Sequence, residues 1–345
     1  MRLLSALCLA IAIAVAPAHA EPVSTKRRAA AVALAIGPWL IVHGIGSWTV
    51  REKPAARMLL KSEIIAGGVV AVSGLLVGAS GASPYSMPAV PLLVAGSGLF
   101  LQSWFSDIYV AAGGSRIVAR PRAMVPWSVE LGTSWQHDAY RERALMRAGG
   151  NVWFGRVGAS ATALLDAGGD AKLALGNVHV RLLGPDATGG EALDNSRVIA
   201  RAGTRIHVDD DDRTSQWTQE IEVSGRLDLE RIDRAFRASF AELGVGIGAV
   251  RVKYSDVARE WSSELLGHFS WGAYLGGRGE AKLFYEHTRD GLIGGFPAGR
   301  AAGFLGHLGA AVDVRVWGPW AVRGEIAVGT AYLTTLAISY RGGPQ

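Results

Sequence analysis

Within "GHFSWG", residues 267–272, His268 and Ser270 stand two positions apart. On a strand this spacing puts both side chains on one face, about 7 Å apart along the chain. A histidine beside a serine can take the hydroxyl proton and leave a nucleophilic oxygen, with a third polar group orienting the ring. Glu264, Glu280 and Glu286 are the carboxylates available for that place. A second polar group, Glu286, His287, Arg289 and Asp290, ends a segment that runs into a Gly-rich loop. Histidine and carboxylate at this spacing can hold a cation, but two ligands do not complete a metal site. A third, Asp209, Asp210, Asp211 and Asp212, gathers four carboxylates at one turn, where Ca²⁺ could find oxygen ligands. The spaced ligands and the glycine of an EF-hand-type loop are missing there, so a charged hairpin tip is the plainer reading. No cofactor is expected. Lastly, Arg197, Arg201, Arg205 and His207 alternate along one segment, and Glu220, Glu222 and Arg226 along the next. That row reads as paired charge on an internal wall, with each cross-strand pair worth roughly 0.2–1 kcal/mol.

All four groups fall in residues 124–345, where hydropathy alternates with period two. In "RVIARAGTRIHV" the residues Val198, Ala200, Ala202, Thr204, Ile206 and Val208 share one face, and the arginines and His207 share the other. Next come Trp217, Ile221, Val223 and Leu227, opposite Gln216, Thr218, Glu220, Glu222 and Arg226. Successive strand side chains point to opposite faces, so each segment has one dry and one wet surface. "REWSSELLGHFSWGAYLGG" repeats the pattern with Trp261, Leu265, Phe269, Trp271 and Ala273 outward. Ten segments are legible, at 126–136, 143–158, 171–183, 197–209, 214–228, 236–252, 259–275, 278–288, 303–316 and 320–340. The last is too long for one bilayer crossing, which takes about ten residues. A turn hidden near 143–166 would raise the count to twelve.

A sandwich would bury its large aromatics centrally. Here Trp127, Trp153, Trp217, Trp261, Trp317 and Trp320 lie near segment ends, as a membrane-interface girdle places them. The expected fold is therefore mainly β: a transmembrane antiparallel up-and-down barrel of about 10–12 strands, preceded by an apolar α-helical region. Residues 124–345 resemble the outer-membrane β-barrel proteins of Gram-negative bacteria, in pattern and in the amphipathic closing strand "GEIAVGTAYLTTLAISY". The chain departs from their usual form by continuing "RGGPQ" after Tyr340. The His-x-Ser element resembles one carried by outer-membrane phospholipases and lipid A deacylases. In those families an Asn commonly follows the Ser; Trp271 occupies that place here. The resemblance implies outer-membrane lipid around the barrel and barrel assembly machinery as a partner during biogenesis.

The opening "MRLLSALCLAIAIAVAPAHA" has a basic start, an apolar run too short to span a bilayer, and a small-x-small ending at Ala18-His19-Ala20. It reads as a signal peptide over 1–20, exported through the Sec pathway and cleaved after Ala20. The single cysteine, Cys8, lies inside it, so no disulfide or thiolate metal site is expected in the mature chain. Residues 21–115 contain three long runs rich in Ala and Gly without alternation, at 29–46, 56–81 and 88–114, which fit buried or membrane helices. Gly67, Gly68, Gly74 and Gly78 suit close helix contact. His43 reads as a capping or packing residue. The net charge of +5 is scattered, which argues against nucleic acid as a partner. The sequence thus points to an outer-membrane barrel with a narrow, charge-filled lumen, structural or passing small solutes or lipid, and leaning away from an enzyme. Two alternatives stand beside it: a lipid hydrolase using His268 and Ser270, and a membrane adaptor that docks a protein partner through the helices.

Overall fold

Alternation of apolar and polar residues runs through much of the sheet, and on strands such as Arg197–Asp209 and Thr214–Asp228 it sets the charged side inward. The computed structural model describes residues 24–37, 42–79, 89–114, 125–169, 171–185, 194–210, 213–255, 257–258, 260–288, 292–294 and 306–342. The expected signal peptide lies outside them. Twelve long strands are present: β1 (Trp127–His137), β2 (Glu142–Phe154), β3 (Val157–Asp166), β4 (Ala171–Leu183), β5 (Arg197–Asp209), β6 (Thr214–Asp228), β7 (Ser239–Tyr254), β9 (Ser262–Tyr274), β10 (Gly279–His287), β11 (His307–Trp317), β12 (Trp320–Val328) and β13 (Tyr332–Gly342). The two-residue β8 (Val257–Ala258) pairs only with the end of β7.

Each long strand pairs with its neighbours in sequence, β6 with β7 and β7 with β9 included. The ring closes through β1 and β13, in register from Trp127↔Gly342 to His137↔Tyr332. The result is a closed twelve-strand antiparallel barrel. Closure removes the sheet edges that would otherwise offer unpaired N–H and C=O groups. Segments 143–158 and 320–340 each prove to hold a turn, at 155–156 and 329–331. Gly155, at φ +59°, supplies the left-handed residue the first turn needs.

The outward face is apolar, with Leu131 69%, Ile221 61% and Leu336 61% exposed. Aromatic residues band both ends of this belt. Trp127, Trp320 and Tyr340 cluster at the end where β1 begins and β13 finishes, with ring centroids 5.7 Å and 5.0 Å from Tyr340. Trp217 and Trp261 pair 5.9 Å apart at the other end. Trp153 departs from the expected girdle, because its position on β2 points inward. It is only 8% exposed, stacked on His179 with Arg181 over its ring.

The chain divides into two compact units, one of them formed by 121–226, 242–270 and 278–345. The other contains the helices together with 227–241 and 271–277. Its helices are α1 (Thr25–Ile36), α2 (Ile45–Thr49), α3 (Lys53–Ala79) and α4 (Ala89–Ala112). Ser24 caps α1 by accepting from the Arg27 amide, and Pro54 falls in the first turn of α3, where its missing N–H costs nothing. The apolar run at 29–46 is not one helix: Gly44, at φ +94°, turns the chain into the short α2.

Five polar side chains lock this unit from inside. The Asp107 carboxylate accepts from the amides of Gly44 (2.9 Å), Gly46 (3.1 Å) and Ser47 (2.7 Å) and from the Ser47 hydroxyl (2.6 Å). Glu63 accepts from the His43 amide at 2.7 Å, and the His43 ring lies 2.5 Å from Ser103 Oγ. Trp271, expected on the outward face of β9, is buried within the same unit. Its indole N–H donates to Ser106 Oγ at 3.1 Å, and its ring packs against Phe105 and Tyr109. The close helix contact falls on Gly96 of α4, where a Cβ would meet Val69 at 2.9 Å. Cβ atoms added at Gly67, Gly68, Gly74 and Gly78 of α3 would instead meet nothing within 4 Å.

Candidate functional site

Inward side chains of β5, β6, β7, β9 and β10 converge on the interior as one ionic network. Register sets Arg201 opposite Glu222 across the β5–β6 ladder. Arg201 bonds Glu222 at 2.7 Å and lies 3.3 Å from Glu220, which Arg205 approaches at 3.6 Å. His207 is buried on the same face of β5. Arg226 reaches Glu280 of β10 at 2.5 Å and Glu242 of β7 at 3.3 Å. Glu242 also lies 3.7 Å from Arg197 and 4.0 Å from Lys282. It is thus the hub at which three cations meet. The contact from β6 to β10 skips two strands of the ring, so the network crosses the interior as well as lining it.

His268 and Ser270 share the inward face of β9, and each is engaged by a different carboxylate. His268 Nδ1 lies 2.8 Å from Glu222, and the Ser270 hydroxyl donates to Glu242 at 2.7 Å. Ser270 is 1% exposed. A cavity of about 70 Å³ borders His268, Arg197, Ile199, Ser224, Arg226 and Glu242. It has room for a few waters and is too small for a sugar or an acyl chain.

The other two polar groups do not assemble. Glu286 and His287 are neighbours on β10 and point to opposite faces; Glu286 pairs with His307 at 3.5 Å and His287 with the Tyr285 hydroxyl at 3.0 Å. Arg289 and Asp290 lie outside the described residues. At the aspartate turn, Asp209 is held by Arg143 at 2.8 Å and Asp210 lies 3.5 Å from Lys172; Asp211 and Asp212 lie outside the described residues. Among the described residues, no three His, Cys, Asp or Glu side chains converge as a metal set.

Two interior features escape a reading of single segments. The partners of the network on other strands, Glu242 of β7 and the Glu280–Lys282 pair of β10, are brought to β5 and β6 only by closure. The second feature is apolar. Leu145, Leu164, Leu173, Phe284, Ala327 and Leu333, all inward at the end away from the β1–β13 termini, pack with Leu292 and Ile293 from the connection after β10. Gln136 Nε2 donates to Leu292 O at 2.8 Å and Ala331 N–H donates to Ile293 O at 3.0 Å. These bonds hold the two apolar side chains within the barrel mouth.

No known protein family matches the chain, and no curated protein does. Solved structures similar to it are outer-membrane barrels. A KdgM porin in complex with disordered oligogalacturonate has a TM-score of 0.40 at 8% identity, over 62% of this chain and 98% of that one. The Acinetobacter baumannii outer membrane protein Omp33 has 0.33 at 10%, over 64% and 99%. The translocator domain of autotransporter NalP from Neisseria meningitidis has 0.33 at 13%, over 63% and 88%. Likeness this distant transfers no activity.

Proposed function

We propose that the protein is a membrane-spanning barrel of the outer membrane whose interior is closed to large solutes, acting as a structural element or a passage for small solutes. The observation that carries this reading is the inversion of polarity across the wall: paired charge inside, an apolar belt with two aromatic bands outside. A belt of that size in water would be a docking or aggregation surface. In a bilayer it meets hydrocarbon, and the aromatic bands meet the headgroups. Inside, the ionic network and the apolar knot around Leu292 and Ile293 act as two successive obstacles. Planar-bilayer recording with the purified protein is expected to give small or no steady conductance. The double variant Leu292→Asp/Ile293→Asp, which makes the mouth polar and loosens the knot, is expected to raise it several-fold. Large, stable conductance in the parent protein would overturn the reading.

The engagement of Ser270 by Glu242 favours a non-catalytic wall over a hydrolase. A nucleophilic serine needs its hydroxyl aimed at a base and open to substrate. Incubation of the purified protein with phospholipid and lipid A micelles is expected to release no fatty acid above background. Release abolished in both Ser270→Ala and His268→Ala would establish the enzyme instead.

A further inference from the structure

We infer that α3 lies in a phospholipid bilayer with its basic N-terminal end against anionic headgroups. The helix has 27 residues, and the part after Lys61, 62–79, extends about 27 Å at about 1.5 Å per residue, close to a hydrocarbon core of about 30 Å. It is long and apolar enough to cross a membrane, yet only 17% of its most apolar window is buried, against 39% for α4. A core helix of that composition would be covered. Ile64, Ile65, Val72, Leu75 and Leu76 are all exposed, Leu75 at 73%. The face between them is open as well, since Cβ atoms at Gly67, Gly74 and Gly78 would meet nothing.

Charge says what covers this face. Arg51, Lys53, Arg57 and Lys61 are exposed at the N-terminal end of the shaft, and none is in an ion pair among the described residues. Of the acidic groups nearby, Glu63 is buried on the His43 amide and Asp107 on the amides of α2, while the half-buried Glu52 lowers the collar's charge and leaves it net positive. Trp48, half exposed, lies beside this collar with Lys53 5.8 Å from its ring. A tryptophan next to unpaired Lys and Arg, followed by an uncharged apolar shaft, is the pattern of a helix entering a bilayer through an anionic interface. A second copy of α3 packed in parallel, as two copies inserted the same way in one membrane would be, would leave like charges facing each other.

The test uses the full chain in a Cys8→Ser background, reconstituted into vesicles of phosphatidylethanolamine and phosphatidylglycerol. A nitroxide is placed at Leu75→Cys, at Ile65→Cys or, as the aqueous reference, at Tyr140→Cys in the turn between β1 and β2. Labels at 75 and 65 are expected to collide with oxygen in preference to a water-soluble nickel chelate, and the label at 140 to show the reverse. Replacing Arg51, Lys53, Arg57 and Lys61 together by Gln should lower the oxygen preference at 75 in these vesicles and leave it unchanged in pure phosphatidylcholine. Protection of positions 75 and 65 from both reagents would mean that protein covers the face, and would overturn the inference. So would a nickel preference at both. A collar variant that behaves like the parent in phosphatidylglycerol would overturn the headgroup assignment.

Discussion

Asp107→Ala is expected to unfold the helical unit while the barrel keeps its heat-modifiable gel mobility. The carboxylate is the acceptor for three amides and one hydroxyl at the Gly44 turn and the start of α2. Removing it leaves buried donors with no acceptor, at about 1–3 kcal/mol each. The left-handed turn at Gly44 then loses the contacts that offset its ordering. A total of about 4 kcal/mol is comparable to the whole stability of a small unit. Asp107→Asn keeps the shape but turns an NH₂ toward N–H donors, so an intermediate loss of about 2 kcal/mol is expected. Limited trypsin digestion reads the difference, because Arg51, Arg57 and Lys61 are exposed but held in ordered backbone. An alanine variant as resistant as the parent would refute the role given to this carboxylate.

The second large effect falls inside the barrel, at Arg226. Its guanidinium joins Glu280 to Glu242, and Arg226→Ala takes the cation from Glu280 and leaves Glu242 only its longer contacts to Arg197 and Lys282. Breaking one side of a buried ion pair costs about 3–5 kcal/mol. At about 2–4 °C per kcal/mol for a domain of this size, the midpoint of heat modification should fall by about 10 °C. The compensated variant Arg226→Met with Glu280→Gln removes the stranded charge, keeps Glu242 for Arg197 and Lys282, and should recover most of the loss. Equal midpoints for Arg226→Ala and the parent would mean that the remaining cations, Arg197 and Lys282, already suffice for these carboxylates.

The faces of β5 and β6 were legible because alternation decides orientation one strand at a time. Ile206 and Ile221 go out, Arg205 and Glu222 in, and no knowledge of neighbours is needed. Strand number was less legible, because the turns at 155–156 and 329–331 are so short that the apolar pattern runs almost unbroken through them. Trp153 misled for a related reason: nearness to a strand end suggests a girdle, but only parity along β2 says which side its indole takes. The hub at Glu242 needs ring closure to exist at all. Asp107, Glu63, His43 and Ser103 are single polar residues scattered through apolar runs, and nothing in their spacing announces that the helices fold them together. The apolar knot was hidden by the expectation of a polar lumen, although Leu145, Leu164 and Leu173 all carry inward parity.

Closure through β1 and β13 also imposes an order of events on biogenesis. Ser134 and Thr335, 201 residues apart, meet across that seam at 2.8 Å. Contacts of such long range form slowly, since the entropy of closing the loop is lost before any pairing rewards it. Until β13 has emerged, β1 remains an open edge and the apolar belt has no bilayer to meet. Both are routes to aggregation. Gly132 tightens the requirement, because a Cβ there would run into the backbone of Leu336 and Ala337, so the last ladder must zip at close range and in one register. The sheet can therefore close only once β13 is present, and this final strand acts as the latch that joins the two ends of the ring.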